Sequence, residues 1–170
     1  VNEVLAHLAS ESGSVAIGAN DHVNMGQSSN DVIPTAIHIS SALECQRQLL
    51  PALEHLAKTI ESKACACKNH TKTGRTHLMD AMPMTLEQEL GAWALQIRNG
   101  IDRINSALPR VQKLAQGGTA VGTGINAHPK FAAKFADTMT VVTGIAFSPN
   151  DSFFESLSCQ DAIVELSGQL

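Results

Sequence analysis

The sequence predicts an all-α fold, a bundle of long helices, and three observations carry that prediction. From Leu86 the apolar residues recur at Leu90, Trp93, Ile97, Ile101, Ile104 and Leu108, steps of three and four that draw one stripe along a long helix. Leu49, Leu53, Leu56 and Ile60 repeat the period in a second run. No segment alternates apolar and polar residues for long, so the signature of a half-buried strand is missing.

Taken in chain order, the helix that carries Leu49 to Ile60 starts near Asn30-Asp31, where either side chain can cap exposed N–H groups and Pro34 is tolerated in the first turn. It runs to about Ala66. The Leu86 stripe makes the next helix, and Pro109 fits its end. Phe131, Phe135 and Val142 predict a third helix after Pro129, and Phe154, Leu157, Ile163, Val164 and Leu166 a fourth. Residues 18–30, 71–85 and 116–128, rich in Gly, Ser, Thr and Asn, are expected to be loops that carry the chemistry. There is no internal repeat, low-complexity tract or linker, so residues 1–170 read as a single helical segment.

The 170-residue length also argues for one domain, since about 100–200 residues is the usual size. Only 16% of the residues are charged, against about 25% in ordinary soluble domains, so some helical faces are expected to meet protein instead of water. A net charge of -4 with no run of Lys or Arg lacks the cationic footprint that nucleic acid or an anionic membrane requires. No stretch reaches the roughly 18 apolar residues of a membrane span, and Val1-Asn2-Glu3-Val4 is no signal peptide start, which predicts a soluble intracellular protein. A chain that opens on Val reads as a processed product or a piece of something longer. Cys45, Cys65, Cys67 and Cys159 form no C-x-x-C pair and have no His at zinc-ligand spacing, so reduced, structural thiols and no metal are expected. On a helix Cys65 and Cys67 would point about 200° apart.

Three polar segments stand out. His22-Val23-Asn24-Met25-Gly26-Gln27-Ser28-Ser29-Asn30-Asp31 places hydroxyls and amides at a helix start, where free N–H groups and the positive dipole end suit a carboxylate. An ordinary N-cap by Ser29 or Asn30 accounts for the same residues. Thr73-Gly74-Arg75-Thr76-His77-Leu78-Met79-Asp80-Ala81 sets a histidine beside a hydroxyl, able to move protons near neutral pH or simply to be solvated. Gly117-Gly118-Thr119-Ala120-Val121-Gly122-Thr123-Gly124-Ile125-Asn126 has the glycine content of a phosphate loop without its Lys-Ser/Thr or preceding strand. A tight turn packed against another segment is the better reading.

In this order and at these separations, Gln27-Ser28-Ser29-Asn30-Asp31, Gly74-Arg75-Thr76-His77-Leu78 with Asp80-Ala81, and the run from Gly117 to Gly124 resemble the fumarase/aspartase superfamily, and most closely its class II fumarate hydratases. The resemblance covers nearly the whole chain. It implies a long-helix bundle of that type, truncated at both ends, and a homotetramer that adds water reversibly to fumarate to give L-malate with no metal or cofactor. Ser28, Ser29, Asn30 and Thr76 match positions that bind the substrate dicarboxylate, and His77 matches the histidine that donates or accepts a proton with a bound water. An aspartase-like ammonia lyase resembles these strings too, but usually carries Ser-Thr-Asn in place of Ser28-Ser29-Asn30 and Gln in place of His77. A non-catalytic helical assembly module is the reading from another class.

The resemblance breaks in two places. The family's second dicarboxylate site has a His-Pro-Asn-Asp string, where this chain has Gly18-Ala19-Asn20-Asp21. Asn20 and Asp21 match, and they serve equally well as turn residues. The family's loop with the catalytic serine should follow well after Leu170, and its N-terminal domain should end within residues 1–27. The resemblance therefore implies the central part of such an enzyme, from the cytoplasm or from mitochondria, and a chain that is inactive alone. The Leu86 to Leu108 stripe is expected on an inward or intersubunit face.

Overall fold

The computed structural model describes all 170 residues, most of them helical. They gather into two compact units, Val1–Ala42 with Arg110–Val164 and Leu43–Pro109 with Glu165–Leu170. No helix is long and apolar enough to cross a membrane.

In the first unit a helix absent from the sequence reading, α1 (Asn2–Ser12), is followed by a short π-helical turn, Ala19–Val23, inside a predicted loop. The helix α2 (Ser29–Glu44) then begins close to the expected place, and its face of Asp31, Pro34, Thr35, His38 and Ala42 is buried. His38 Nδ1 lies 2.8 Å from the carbonyl of Val111, which joins the middle of α2 to the chain far along the sequence. Two-residue strands, β3 (Lys113–Leu114) and β4 (Ser148–Pro149), pair in parallel, and Leu114, Ile145 and Phe147 are buried beside the ladder. Between them α5 (Phe131–Thr143) follows Pro129 as predicted and ends on Gly144, whose φ of 77° lets its N–H reach the Thr140 carbonyl at 2.9 Å.

The predicted fourth helix is two helices, α6 (Phe153–Ser158) and α7 (Asp161–Gly168). Ser152 Oγ caps the first by accepting the Glu155 N–H at 3.4 Å. At its other end Ser158 Oγ donates to the Phe154 carbonyl at 2.7 Å, and Cys159 is extended, with φ -136° and ψ 162°. Local side-chain bonding of this kind competes with helix continuation, and an apolar period cannot reveal it.

The second unit holds the rest of the long helical run. After α2 the chain passes through a wide π turn, Cys45–Leu49, into α3 (Leu50–Ala66). Pro51 explains the wide turn: it has no N–H to offer the Arg47 carbonyl, and its ring would strike that carbonyl in a regular α-helix. A capping box, Thr85-x-x-Gln88, opens α4 (Leu86–Val111): Thr85 Oγ1 accepts the Gln88 N–H at 3.2 Å while Gln88 Oε1 accepts the Thr85 N–H at 2.9 Å. Pro109 does not end α4. It sits in the last turn, where few bonds are lost, and burial of Leu108 and Val111 on either side carries the helix past it. Along the stripe Ile104 and Leu108 are buried and Leu86, Leu90, Ile97 and Ile101 are half-buried, whereas Trp93 is 50% exposed.

The predicted loop 71–85 is in fact an antiparallel hairpin, β1 (Thr71–Thr76) and β2 (Met79–Thr85). Its residues are mostly exposed on both faces, so no period-two pattern exists to be read. Lys72 Nζ binds both carboxylate oxygens of Glu89 at 2.7 Å, fixing the base of the hairpin to α4. Arg98 ties α4 to α3, bonding Glu61 at 2.9 and 3.0 Å and Glu54 at 2.5 Å. The guanidinium holds both carboxyls below the usual carboxylate range, and the two carboxylates raise Arg98 in turn.

Candidate functional site

The start of α2 is built by one carboxylate. Asp31 has no exposed surface, and its Oδ1 accepts the Ser28 N–H at 2.9 Å. Its Oδ2 accepts the N–H groups of Gly117 and Thr119 at 3.1 and 2.8 Å, so the side chain spans from the first turn of the helix to the glycine-rich segment. Asn30 adds a second tie, its Nδ2 donating to the Ala120 carbonyl at 2.7 Å, and its N–H is 3.2 Å from Ser28 Oγ.

The glycine-rich segment is the tight packed turn that its lack of a phosphate-loop lysine suggested. Gly117 and Gly122 have φ of 107° and 103°, a region that L side chains rarely adopt. A Cβ at Gly117 would also lie 2.6 Å from Ala132 Cβ, and one at Gly122 would lie 2.9 Å from the Phe154 backbone nitrogen. Thr119, with a Cβ, nevertheless adopts φ 57°, held there by the bond from its N–H to Asp31.

Ser28 and Ser29 open onto a cleft of about 590 Å³, shared with Asn20, Asp21, Asn24, Gln27, Thr119, Ala120 and Asn126. Thus the two groups that the sequence singled out in this unit, Ser28 and Ser29 with Asn20 and Asp21, line one space. Asn20 and Asp21 sit on the π turn Ala19–Val23, whose entry is tied by the Gly18 N–H donating to His22 Nδ1 at 2.9 Å. The lining contains no Lys or Arg. An anion bound there would rely on hydroxyl and amide donors and on the positive end of the α2 dipole, with the Asp21 carboxylate limiting how much negative charge fits beside it.

Thr76 and His77 belong to the other unit, at the tip of the hairpin. Thr76 pairs with Met79 as the last rung of the ladder, and His77-Leu78 is the two-residue turn between them. Both turn residues have left-handed φ, 52° and 62°, the pattern of a turn that normally calls for Asn-Gly. Two bulky residues in that conformation store strain, which accumulates at functional sites. His77 is exposed and Leu78 wholly so. A bulge between Thr73 and Arg75 brings Gly74 so near the partner strand that a Cβ would sit 2.6 Å from the Met82 carbonyl oxygen.

Asp31 reads in the sequence as a possible helix cap and nothing more, and its reach to the glycine-rich segment is what sequence reasoning missed. It stands in the quoted string beside Asn30, but the groups it bonds are 86 and 88 positions away, beyond any local pattern. The four cysteines are free thiols: burial, and then Glu44, push Cys45 up, and the hydrogen bond to Glu155 raises Cys159. No group of three or more His, Cys, Asp or Glu side chains is placed to hold a metal ion.

A family model described as lyase matches residues 1–170. The class II fumarate hydratase 2 of Pseudomonas aeruginosa is 57% identical over 169 residues, covering 99% of this chain and 37% of its own length. The mitochondrial fumarate hydratase of Schizosaccharomyces pombe is 47% identical, again over 99% of this chain, and is covered to 34%. The crystal structure of class II fumarase from Schistosoma mansoni superposes with a TM-score of 0.94 at 39% identity, covering 99% of this chain and 40% of that one. The chain thus spans a little over a third of the relatives it matches. It belongs to this lyase family, with the sequence and the helix-bundle fold of the central region of the class II fumarate hydratases.

Proposed function

We propose that these residues form part of the active site of a class II fumarate hydratase, which adds water reversibly to fumarate to give L-malate without a metal or other cofactor. The observation that carries the reading is the cleft at the start of α2, where Ser28 and Ser29 line a space walled by hydroxyls and amides and the Ser28 N–H is bound by a buried carboxylate. Removing a proton from the carbon beside a carboxylate builds negative charge on that carboxylate. Fixed donors aimed at it stabilise the transition state most, because they need no reorganisation as the charge grows. Ser28, Ser29 and the α2 N-terminus are those donors in this reading; Asn30, one of whose amide hydrogens already goes to the Ala120 carbonyl, has the other to offer, and Thr76 is a substrate-binding hydroxyl of the assembled enzyme.

His77 is the proton carrier for the departing or arriving hydroxyl, acting through water. Its place at a strained turn supports that role. Asn20 and Asp21 form the remnant of a second dicarboxylate subsite. Residues 1–27 close an N-terminal domain, the remainder belongs to the central bundle, and a homotetramer, cytoplasmic or mitochondrial, supplies the other groups, the base serine among them. A polypeptide of these 170 residues is accordingly expected to turn over no fumarate.

The test exchanges the matching region of the Pseudomonas aeruginosa relative for this sequence and follows fumarate spectrophotometrically. The chimera is expected to form malate, and His77→Gln to lower its kcat by about 10²- to 10⁴-fold. A folded chimera that aminates fumarate, or one indifferent to His77→Gln, would overturn the reading in favour of an ammonia lyase or a different proton carrier.

A further inference from the structure

We propose that Asp31 is a positioning residue, whose carboxylate clasps the glycine-rich segment to the start of α2 and so holds Ser28 and Ser29 in ligand-binding geometry. The inference rests on the dicarboxylate reading of the cleft for its last step only. Three backbone N–H groups converge on one fully buried carboxylate, one from the helix start and two from the segment some 86 to 88 residues on. Gly117 and Thr119 both have positive φ, so their N–H groups make a concave anion seat of the kind that elsewhere receives phosphate. Here the seat is filled from within.

That occupancy has two effects. The left-handed backbone at Thr119, costly for a residue with a Cβ, is held by a charge-assisted bond that neutral side chains do not equal. Ser28 is held at its own N–H, so its hydroxyl is aimed by a buried anchor and not by the ligand. A positioning carboxylate differs from a ligand-binding one in what its loss changes. Asp31→Asn keeps the shape, but its amide group presents donors toward donors, since three N–H groups already point at the side chain.

The experiment uses the 170-residue chain and its Asp31→Asn and Asp31→Glu variants. Backbone amide exchange is read at Ser28, Gly117 and Thr119, with the α5 and hairpin amides as internal controls, and fumarate is titrated by amide shifts. In Asp31→Asn the three amides are expected to exchange about tenfold faster or more, as loss of a bond to a charged group implies, with the controls unchanged. Fumarate-induced shifts at Ser28 and Ser29 should weaken by a similar factor and recover in part in Asp31→Glu. Unchanged exchange at Gly117 and Thr119 overturns the clasp. Faster exchange with fumarate shifts intact overturns the positioning role. No fumarate response in the unaltered chain sinks the dicarboxylate reading and the positioning step with it, while exchange still decides the clasp. If Asp31→Asn loses its helical circular dichroism, through-hydrogen-bond coupling from the Gly117 and Thr119 nitrogens to the Asp31 carboxyl carbon in the unaltered chain decides instead: its presence supports the clasp and its absence overturns it.

Discussion

The start of α2 and the tip of the hairpin both carry residues that the sequence marked for chemistry, yet they are held in opposite ways. At the helix start a carboxylate with no exposed surface receives three N–H groups, one of them from Ser28. At the hairpin tip Thr76 and His77 are exposed, the turn runs against its residues' conformational preference, and the nearest ion pair, Arg75 with Asp80 at 3.5 Å, lies in solvent. Anion binding needs fixed donors, because reorganisation at the moment of reaction costs rate. A proton carrier, the role proposed for His77, tolerates a looser mount in the free protein, since catalytic hydrogen bonds often tighten only when substrate is present.

The largest break in that comparison comes from Asp31→Ala. It orphans three N–H groups, two of them in buried backbone, and is expected to destabilise the first unit by about 3 kcal/mol or more, read as a fall in the urea midpoint by circular dichroism. A loss under half of that would mean that the anchor is not rigid. Next is Gly122→Ala, where positive φ and a 2.9 Å approach to the Phe154 nitrogen together predict a loss of about 2 kcal/mol. The hairpin should answer with the opposite sign. Leu78→Gly removes a wholly exposed side chain from a left-handed position, so the hairpin amides should become more protected from exchange, by about 1 kcal/mol. A less protected hairpin would show that Leu78 is held by contacts and that the turn is not strained.

The smallest effect is the pH response of the Arg98 cluster. Glu54 and Glu61 have folded-state values below their unfolded ones, so the cluster favours the fold above the ordinary carboxylate range and the contribution fades as pH falls through the lowered values. Arg98→Met should therefore flatten the acid limb of the stability profile and leave the response around neutral pH unchanged. An acid limb as steep as the parent's would assign it to other groups.

What could be read in the sequence follows from how far each cause reaches along the chain. The stripe from Leu86 to Leu108 and the cap near Asn30 are local patterns, and the helices stand close to where those patterns place them. The hairpin was illegible because its residues face solvent on both sides and its turn is His77-Leu78, not a Gly-containing pair. The break between α6 and α7 depends on Ser158 bonding backward, which leaves the apolar spacing intact. Ser28, Ser29, Asn20 and Asp21 stand out in the sequence one by one, but their shared cleft emerges only when the π turn folds beside the helix start. The Asp31 clasp depends on partners remote in sequence.

Trp93, half-exposed on α4, is the only indole in a chain with no tyrosine. Ultraviolet emission therefore reports on α4 and its surroundings, while the clasped helix start is optically silent. A fluorescence melt would record the surroundings of one helix, and the Asp31 anchor has no emitter of its own. Phe154, whose ring approaches Gly122, is the natural position for a replacement indole: Phe154→Trp combined with Trp93→Phe would make the glycine-rich segment the source of the emission.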